Sequence, residues 1–109
     1  MTKAVGIDHI AIYFSNIEKA KDFFTECFGL KVKYEFPGEI FLEVGQQVIG
    51  LFEGKVKAQS INHLALKVNN FEEIKKKLES KGYKIYKGDM VDGPEGLRIQ
   101  IIKEEKIMQ

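Results

Sequence analysis

One pattern is written twice in this chain. GIDHIAIYFSNIEKAKDFF, beginning at Gly6, is answered by SINHLALKVNNFEEIKKKL, beginning at Ser60, and setting His9 on His63 gives an offset of 54 positions. The offset falls by one, to 53, at Gly29 and Gly82, the glycines that follow the two helical stretches. A unit of about fifty residues present only twice is too short a series for a solenoid, so the repeat predicts one domain made of two copies of one supersecondary unit with pseudo-twofold symmetry. His9 and His63 are the only histidines in the chain, and the repeat gives them equivalent positions.

The periods inside each copy say what the unit is. From Ile7 to Phe14 apolar residues alternate, with Ile10, Ile12 and Phe14 on one face and His9, Ala11 and Tyr13 on the other, the pattern of a half-buried strand. In the second copy Leu64, Leu66 and Val68 form the apolar face, and His63, Ala65 and Lys67 share the opposite one. A helix follows in each case. Ser15 with Glu18 fits a capping box, Ile17, Ala20, Phe24, Cys27 and Phe28 make an apolar stripe, and Gly29 suits a left-handed C-terminal cap. Asn70 is the expected N-cap of the second helix, with Phe71, Ile74 and Leu78 as its stripe and Gly82 as its stop.

After the first helix, KVKYEF, EIFLEV and QVIGLF read as three strands, the last two joined at Gly45-Gln46, a pair suited to a two-residue hairpin turn. The unit is therefore βαβββ. The second copy offers YKIYKG, a turn at DGPEG, then LRIQIIK and a clipped KIMQ, so it reads as a shortened version of the first. The expected organisation is a single α+β domain over 1–109, with one module at 5–54 and the other at 60–109. Each sheet then has one apolar face for its helix and one mixed face, and a histidine beside an alanine on the mixed face leaves room for a ligand.

Composition excludes several classes. Seventeen basic residues against sixteen acidic ones give a net charge of +1, interspersed rather than gathered into a basic stripe, which argues against nucleic acid as a partner. No apolar run approaches the roughly 18 residues of a membrane span, and MTKAVGID lacks the apolar centre of a signal peptide, so a cytoplasmic location is expected. Cys27 is the single cysteine; it supports neither a disulfide framework nor a zinc pair, and its place on the helix stripe predicts core packing. The run Lys75 to Lys77 reads as a solvated helix face.

The doubled DHIAI and NHLAL, each leading into a short helix with a glycine stop, together with IFLEVGQQVIGLFEG and DGPEGLRI, closely resemble the vicinal oxygen chelate superfamily. That group contains glyoxalases, methylmalonyl-CoA epimerases, extradiol dioxygenases, and fosfomycin- and bleomycin-resistance proteins. The resemblance covers nearly the whole chain. It implies paired βαβββ modules whose curved sheets form a cup, commonly in a homodimer, with a small molecule in the cup. In metal-dependent members it also implies one divalent ion (nickel, zinc, iron or manganese), held by a residue from the first and the last strand of each module.

Carried onto this sequence, the resemblance makes His9 and His63 the two first-strand ligands. Where the first module's ligand glutamate is expected, VIGLFE supplies Gly50. In the second module Gln100 takes that position if GPEGLRIQI is the last strand. The preferred alignment makes DGPEGLRIQII the strand before the last, with a hairpin at Glu104-Glu105 bringing Gln109 opposite Gln100. Either position holds an amide, without negative charge and unable to act as a base. Two imidazoles and an amide leave a divalent ion's charge uncompensated, and hard metals prefer carboxylate oxygen.

Glu43 is a candidate replacement. With Gly45-Gln46 as the turn it pairs with Val48 on the face of Gly50, a diagonal neighbour roughly 7 Å away between α-carbons. Glu53, just past Gly50, points to the other face and reads as a solvated strand end. Tyr13, Phe41 and Phe52 fall on the cup face and can stack on a flat ligand. Two functions follow: a binding protein with a degenerate metal site that holds a small or planar molecule, and a metal-dependent lyase or isomerase of the glyoxalase type, with Glu43 as its proton carrier. The lost carboxylates harm catalysis more than binding and favour the first.

Overall fold

A computed structural model describes residues 2–104 of the chain. The first unit runs β1 (Ile10–Phe14), α1 (Ile17–Phe28), β2 (Lys31–Phe36), β3 (Glu39–Val44) and β4 (Gln47–Glu53). The second runs β5 (Leu64–Val68), α2 (Phe71–Ser80), β6 (Ile85–Tyr86), β7 (Met90–Asp92), a 3-10 turn at Pro94–Gly96 and β8 (Arg98–Lys103). Each forms a four-stranded sheet, in the order β1-β4-β3-β2 and β5-β8-β7-β6. The first strand of each unit lies parallel to the last, and the other pairs are antiparallel.

That order decides the alignment of the second unit. β8 lies beside β5, with Ala65 opposite Gln100, as β4 lies beside β1 with Ala11 opposite Gly50. Arg98–Lys103 is therefore the fourth strand of its sheet and not the strand before it, which overturns the preferred alignment. The shortening falls instead on β6 and β7, of two and three residues. Gln109, expected opposite Gln100, lies outside the described residues, as do Glu105 and KIMQ.

The helices follow the predicted stripes, and the N-cap of α1 differs from the expected one. The N-cap of α1 is Asn16, whose side-chain oxygen accepts from the Lys19 amide at 3.0 Å, and not Ser15. Gly29 closes α1 at φ 70°, a conformation that costs glycine little. Asn70 caps α2 in the same way as Asn16, accepting from the Glu73 amide at 3.1 Å. The turn between β3 and β4 is the two residues Gly45 and Gln46, with Gly45 at φ 61° and Val44 paired to Gln47. Among the described residues no helix is long and apolar enough to cross a membrane.

One continuous core joins both units. It takes Ile12, Phe14, Ile40, Leu42 and Leu51 from the first sheet, Leu66, Val91, Ile99 and Ile101 from the second, and Cys27 from α1. Burial in these apolar surroundings pushes the Cys27 thiol pKa up, as expected of a packing residue. Phe23 was absent from the expected stripe, yet it is 3% exposed and lies edge-on to Tyr83 of the second unit at 4.9 Å between ring centroids.

A carboxylate also crosses the junction. Glu95, in the 3-10 turn before β8, accepts hydrogen bonds from the Ser15 and Asn16 amides at 2.6 and 3.0 Å, at the entry to α1. It does so from a left-handed backbone conformation, φ 56° and ψ 31°. Burial pushes its pKa up, but the hydrogen bonds from Asn16 and Ser15, with Lys19 nearby, outweigh that and leave it below the ordinary carboxylate value. A depressed folded-state pKa means stability that is complete above the unfolded value of about 4.3 and lost as pH falls through the folded value. Glu95→Ala is expected to cost about 1 kcal/mol in urea unfolding at pH 7, the typical worth of a helix cap. The gap from the parent should close below about pH 4; a gap unchanged down to pH 3 would contradict the ionic role.

Candidate functional site: the cup face

The face of each sheet turned away from the helices is laid out by strand register. Across the first sheet, from β2 to β1, one row reads Phe36, Glu39, Phe52, Tyr13, and the next reads Tyr34, Phe41, Gly50, Ala11. A third row reads Lys31, Glu43, Val48. His9, one residue ahead of the first paired position, continues it. The second sheet repeats the middle row as Tyr86, Met90, Gln100, Ala65. Gln100 is thus the internal counterpart of Gly50, and Met90 that of Phe41.

Tyr34 and Phe36 reach this face through a bulge. Val32 pairs with Leu42 and Tyr34 with Phe41, so Lys33 is an extra residue in β2. Unbroken alternation would put Tyr34 and Phe36 on the same side as Val32, toward the helix. The shift also turns Glu35 inward at the sheet edge, where its carboxylate meets Lys21 of α1 at 3.2 Å.

The result is a cluster of rings centred on Phe41. Its centroid lies 5.6 Å from both His9 and Phe52, 6.3 Å from Phe36 and 6.5 Å from Tyr34, all in edge-on geometries that aromatic quadrupoles favour. Tyr13 extends the cluster from Phe52 at 6.3 Å. Tyr13, Tyr34 and Phe36 are each more than half exposed, at 62, 54 and 53%. The cluster explains Gly50: a Cβ there would stand 3.2 Å from Phe41 Cε1 and 3.6 Å from Phe52 Cε2, so the rings lean over the position. Phe41 and Phe52 thus border the space that a side chain at position 50 would enter. Glu43 itself is exposed and, among the described residues, makes no hydrogen bond or ion pair.

The two histidines are held alike. His9 Nδ1 lies 2.8 Å from Asp8 Oδ2, and His63 Nδ1 lies 2.7 Å from Asn62 Oδ1. Both partners are acceptors, so each Nδ1 carries the proton and each Nε2 is left unencumbered. This is the physical content of the doubled Asp/Asn-His. Between the starts of β1 and β4 and the strand β5 a cavity of about 530 Å³ opens. His9, Val48, Ala65 and Lys67 are among the residues that line it, and His63 is not. Gln100 is half-buried, and its amide donates to Asp89 Oδ2 at 3.0 Å.

The sequence profile of the Glyoxalase/Bleomycin resistance protein/Dioxygenase superfamily matches residues 6–105. The chain belongs to that superfamily. Its fold is shared with a possible glyoxalase from Bacillus cereus, 20% identical at a TM-score of 0.74, covering 91% of this chain and 99% of that one. It is likewise similar to the fosfomycin resistance protein FosX from Listeria monocytogenes, 16% identical at a TM-score of 0.76, with 92 and 91% covered. A third is lactoylglutathione lyase from Agrobacterium tumefaciens, 19% identical at 0.67, with 94 and 96% covered. A FosX E126Q mutant has been seen with Mn(II) and 1S,2S-dihydroxypropylphosphonic acid. No functionally curated protein matches the chain.

Against the superfamily's ion site the donors of this member fit poorly. His9 and His63 offer nitrogen, Gln100 offers only an uncharged amide oxygen, its Nε2 donating to Asp89, and Gly50 offers no side chain beneath Phe41. Among the described residues no three His, Cys, Asp or Glu side chains are grouped to hold a metal ion. Such a set supplies no charge to compensate a divalent cation.

Proposed function

We propose that this superfamily member is a binding protein that takes a small, flat molecule against the cup face, with Tyr13, Phe41 and Phe52 as its stacking surface and Gly50 as the floor beneath them. The observation that carries the reading is the packing of Phe41 and Phe52 over Gly50, the position where the resemblance expects an anionic ligand to a metal. Aromatic surface left in water is costly to display and gains most when a second apolar plane covers it. A homodimer belongs to the same proposal, because a second copy laid over the exposed rings would shelter the far side of the bound molecule.

The test is a titration of the full-length chain with a flat aromatic ligand, followed by tyrosine fluorescence quenching. Saturable binding that Phe41→Ala removes supports the reading; binding of equal strength in the variant overturns it. The second reading, a metal-dependent lyase or isomerase acting on vicinal oxygens, draws its support from the two unencumbered Nε2 atoms. It requires bound metal.

A further inference from the structure

We propose that the flat molecule taken by the cup face is a cation, its rings stacked across Tyr13, Phe41 and Phe52 and its charge met by Glu39. This rests on the binding reading above and adds the ligand's charge to it. Glu39 sits within the aromatic rows, paired by register with Phe36 on one side and Phe52 on the other. Its neighbours along β3, Ile40 and Leu42, are buried on the opposite face, so the alternation of the strand turns Glu39 and Phe41 together toward the cup. β3 is an inner strand, so the carboxylate has no part in guarding a sheet edge.

Two other carboxylates beside this face have a basic neighbour. Glu43 has Lys31 opposite it in the third row, and Asp8 is turned onto His9. Glu39 is exposed and, among the described residues, makes no hydrogen bond or ion pair. Its partners by register are the aromatic residues Phe36 and Phe52, with no basic residue opposite it. The rings already attract positive charge: Lys33 Nζ lies over Tyr34 at 5.6 Å from the ring centroid. Ring faces and an adjacent carboxylate act in the same direction, drawing a planar cation and repelling an anion of the same shape.

Three tricyclic probes of similar shape separate charge from flatness: proflavine as the cation, 9-anthracenemethanol as the neutral compound and 9-anthracenecarboxylate as the anion. Each is titrated into the full-length chain at low salt. Proflavine is expected to bind about tenfold more tightly than the neutral probe, on the scale of one cation–π contact with a carboxylate beside it, and the anion most weakly. Glu39→Gln should reduce proflavine's advantage over the neutral probe about threefold, to what the ring faces alone supply, and leave the neutral probe unchanged, whereas Glu43→Gln should change neither. Circular dichroism and the urea midpoint establish that Glu39→Gln is folded. Equal affinity for cation and neutral compound, or a Glu39→Gln protein whose preference for proflavine is as large as the parent's, overturns the inference and leaves the binding reading standing. Failure of all three probes to bind overturns both, including the case in which sedimentation shows a dimer whose second copy covers the rings.

Discussion

Phe23→Ala is expected to cost about 3–5 kcal/mol in urea unfolding, the range for removing a buried phenylalanine. Phe23 is on α1, yet its ring packs as much on the second unit as on its own. It lies 4.9 Å from Tyr83, 5.2 Å from Phe24 and 5.6 Å from Phe28. Gly93 completes the contact from the loop before β8, where a Cβ would stand 3.1 Å from the Phe23 ring. Since a domain of this size has a net stability of about 5–15 kcal/mol, the loss takes a large share of the whole. The exposed Phe36→Ala is the comparison, expected within about 0.5 kcal/mol of the parent. A Phe23→Ala protein less than about 1 kcal/mol weaker would mean that the two units are not joined through this ring.

Phe41→Ala is expected to act on binding rather than on folding. Phe41 is half-buried and stands at the centre of four other rings, so its loss removes the middle of the stacking surface and uncovers Gly50. Stacking of a flat base on an aromatic side chain is worth about 1–3 kcal/mol by alanine substitution, which corresponds to a fall in affinity of about 10- to 100-fold. Gly50→Ala probes the same contact from below. Its Cβ pushes on Phe41 Cε1 by a few tenths of an ångström, and because that ring borders the open face it can tilt outward. The expected result is weakened ligand binding at a nearly unchanged urea midpoint. If Phe41→Ala instead unfolds the protein while ligand affinity per folded molecule persists, the cluster belongs to the core and not to a site.

Local periodicity carried most of the fold. The alternation around His9 and His63, the stripes of α1 and α2, the left-handed Gly29 and the turn at Gly45 all follow from neighbours within a few residues, and they recur in the structure. The misreadings involve partners far along the chain. Ser15 looked like the cap of α1, but its amide is taken by Glu95, 80 residues away, while Asn16 does the capping. Phe23 sits off the predicted stripe because the surface that buries it belongs to the second unit. The alignment of the last strand went astray because length was conserved in the reading, whereas β6 and β7 have contracted.

The cup face was half legible. Tyr13, Phe41 and Phe52 were placed on it by simple alternation, and Glu43 was correctly opposed to Val48. Tyr34 and Phe36 were missed, since the bulge at Lys33 that turns them leaves no mark in a six-residue run of KVKYEF. The aromatic pair at i and i+2, Tyr34 and Phe36, in the strand that precedes Phe41 was the signal available. Nor did the run of letters tell why Gly50 is a glycine: that depends on where two ring planes come to rest above it.

Metal content decides the central claim most directly. The protein is purified without chelators, and bound nickel, zinc, iron and manganese are measured in the parent and in His63→Ala, before and after millimolar supplementation. An aromatic face that has displaced the anionic donor predicts far less than one metal per chain in both proteins. One equivalent in the parent that disappears in His63→Ala would contradict it and establish the histidines as a working metal centre.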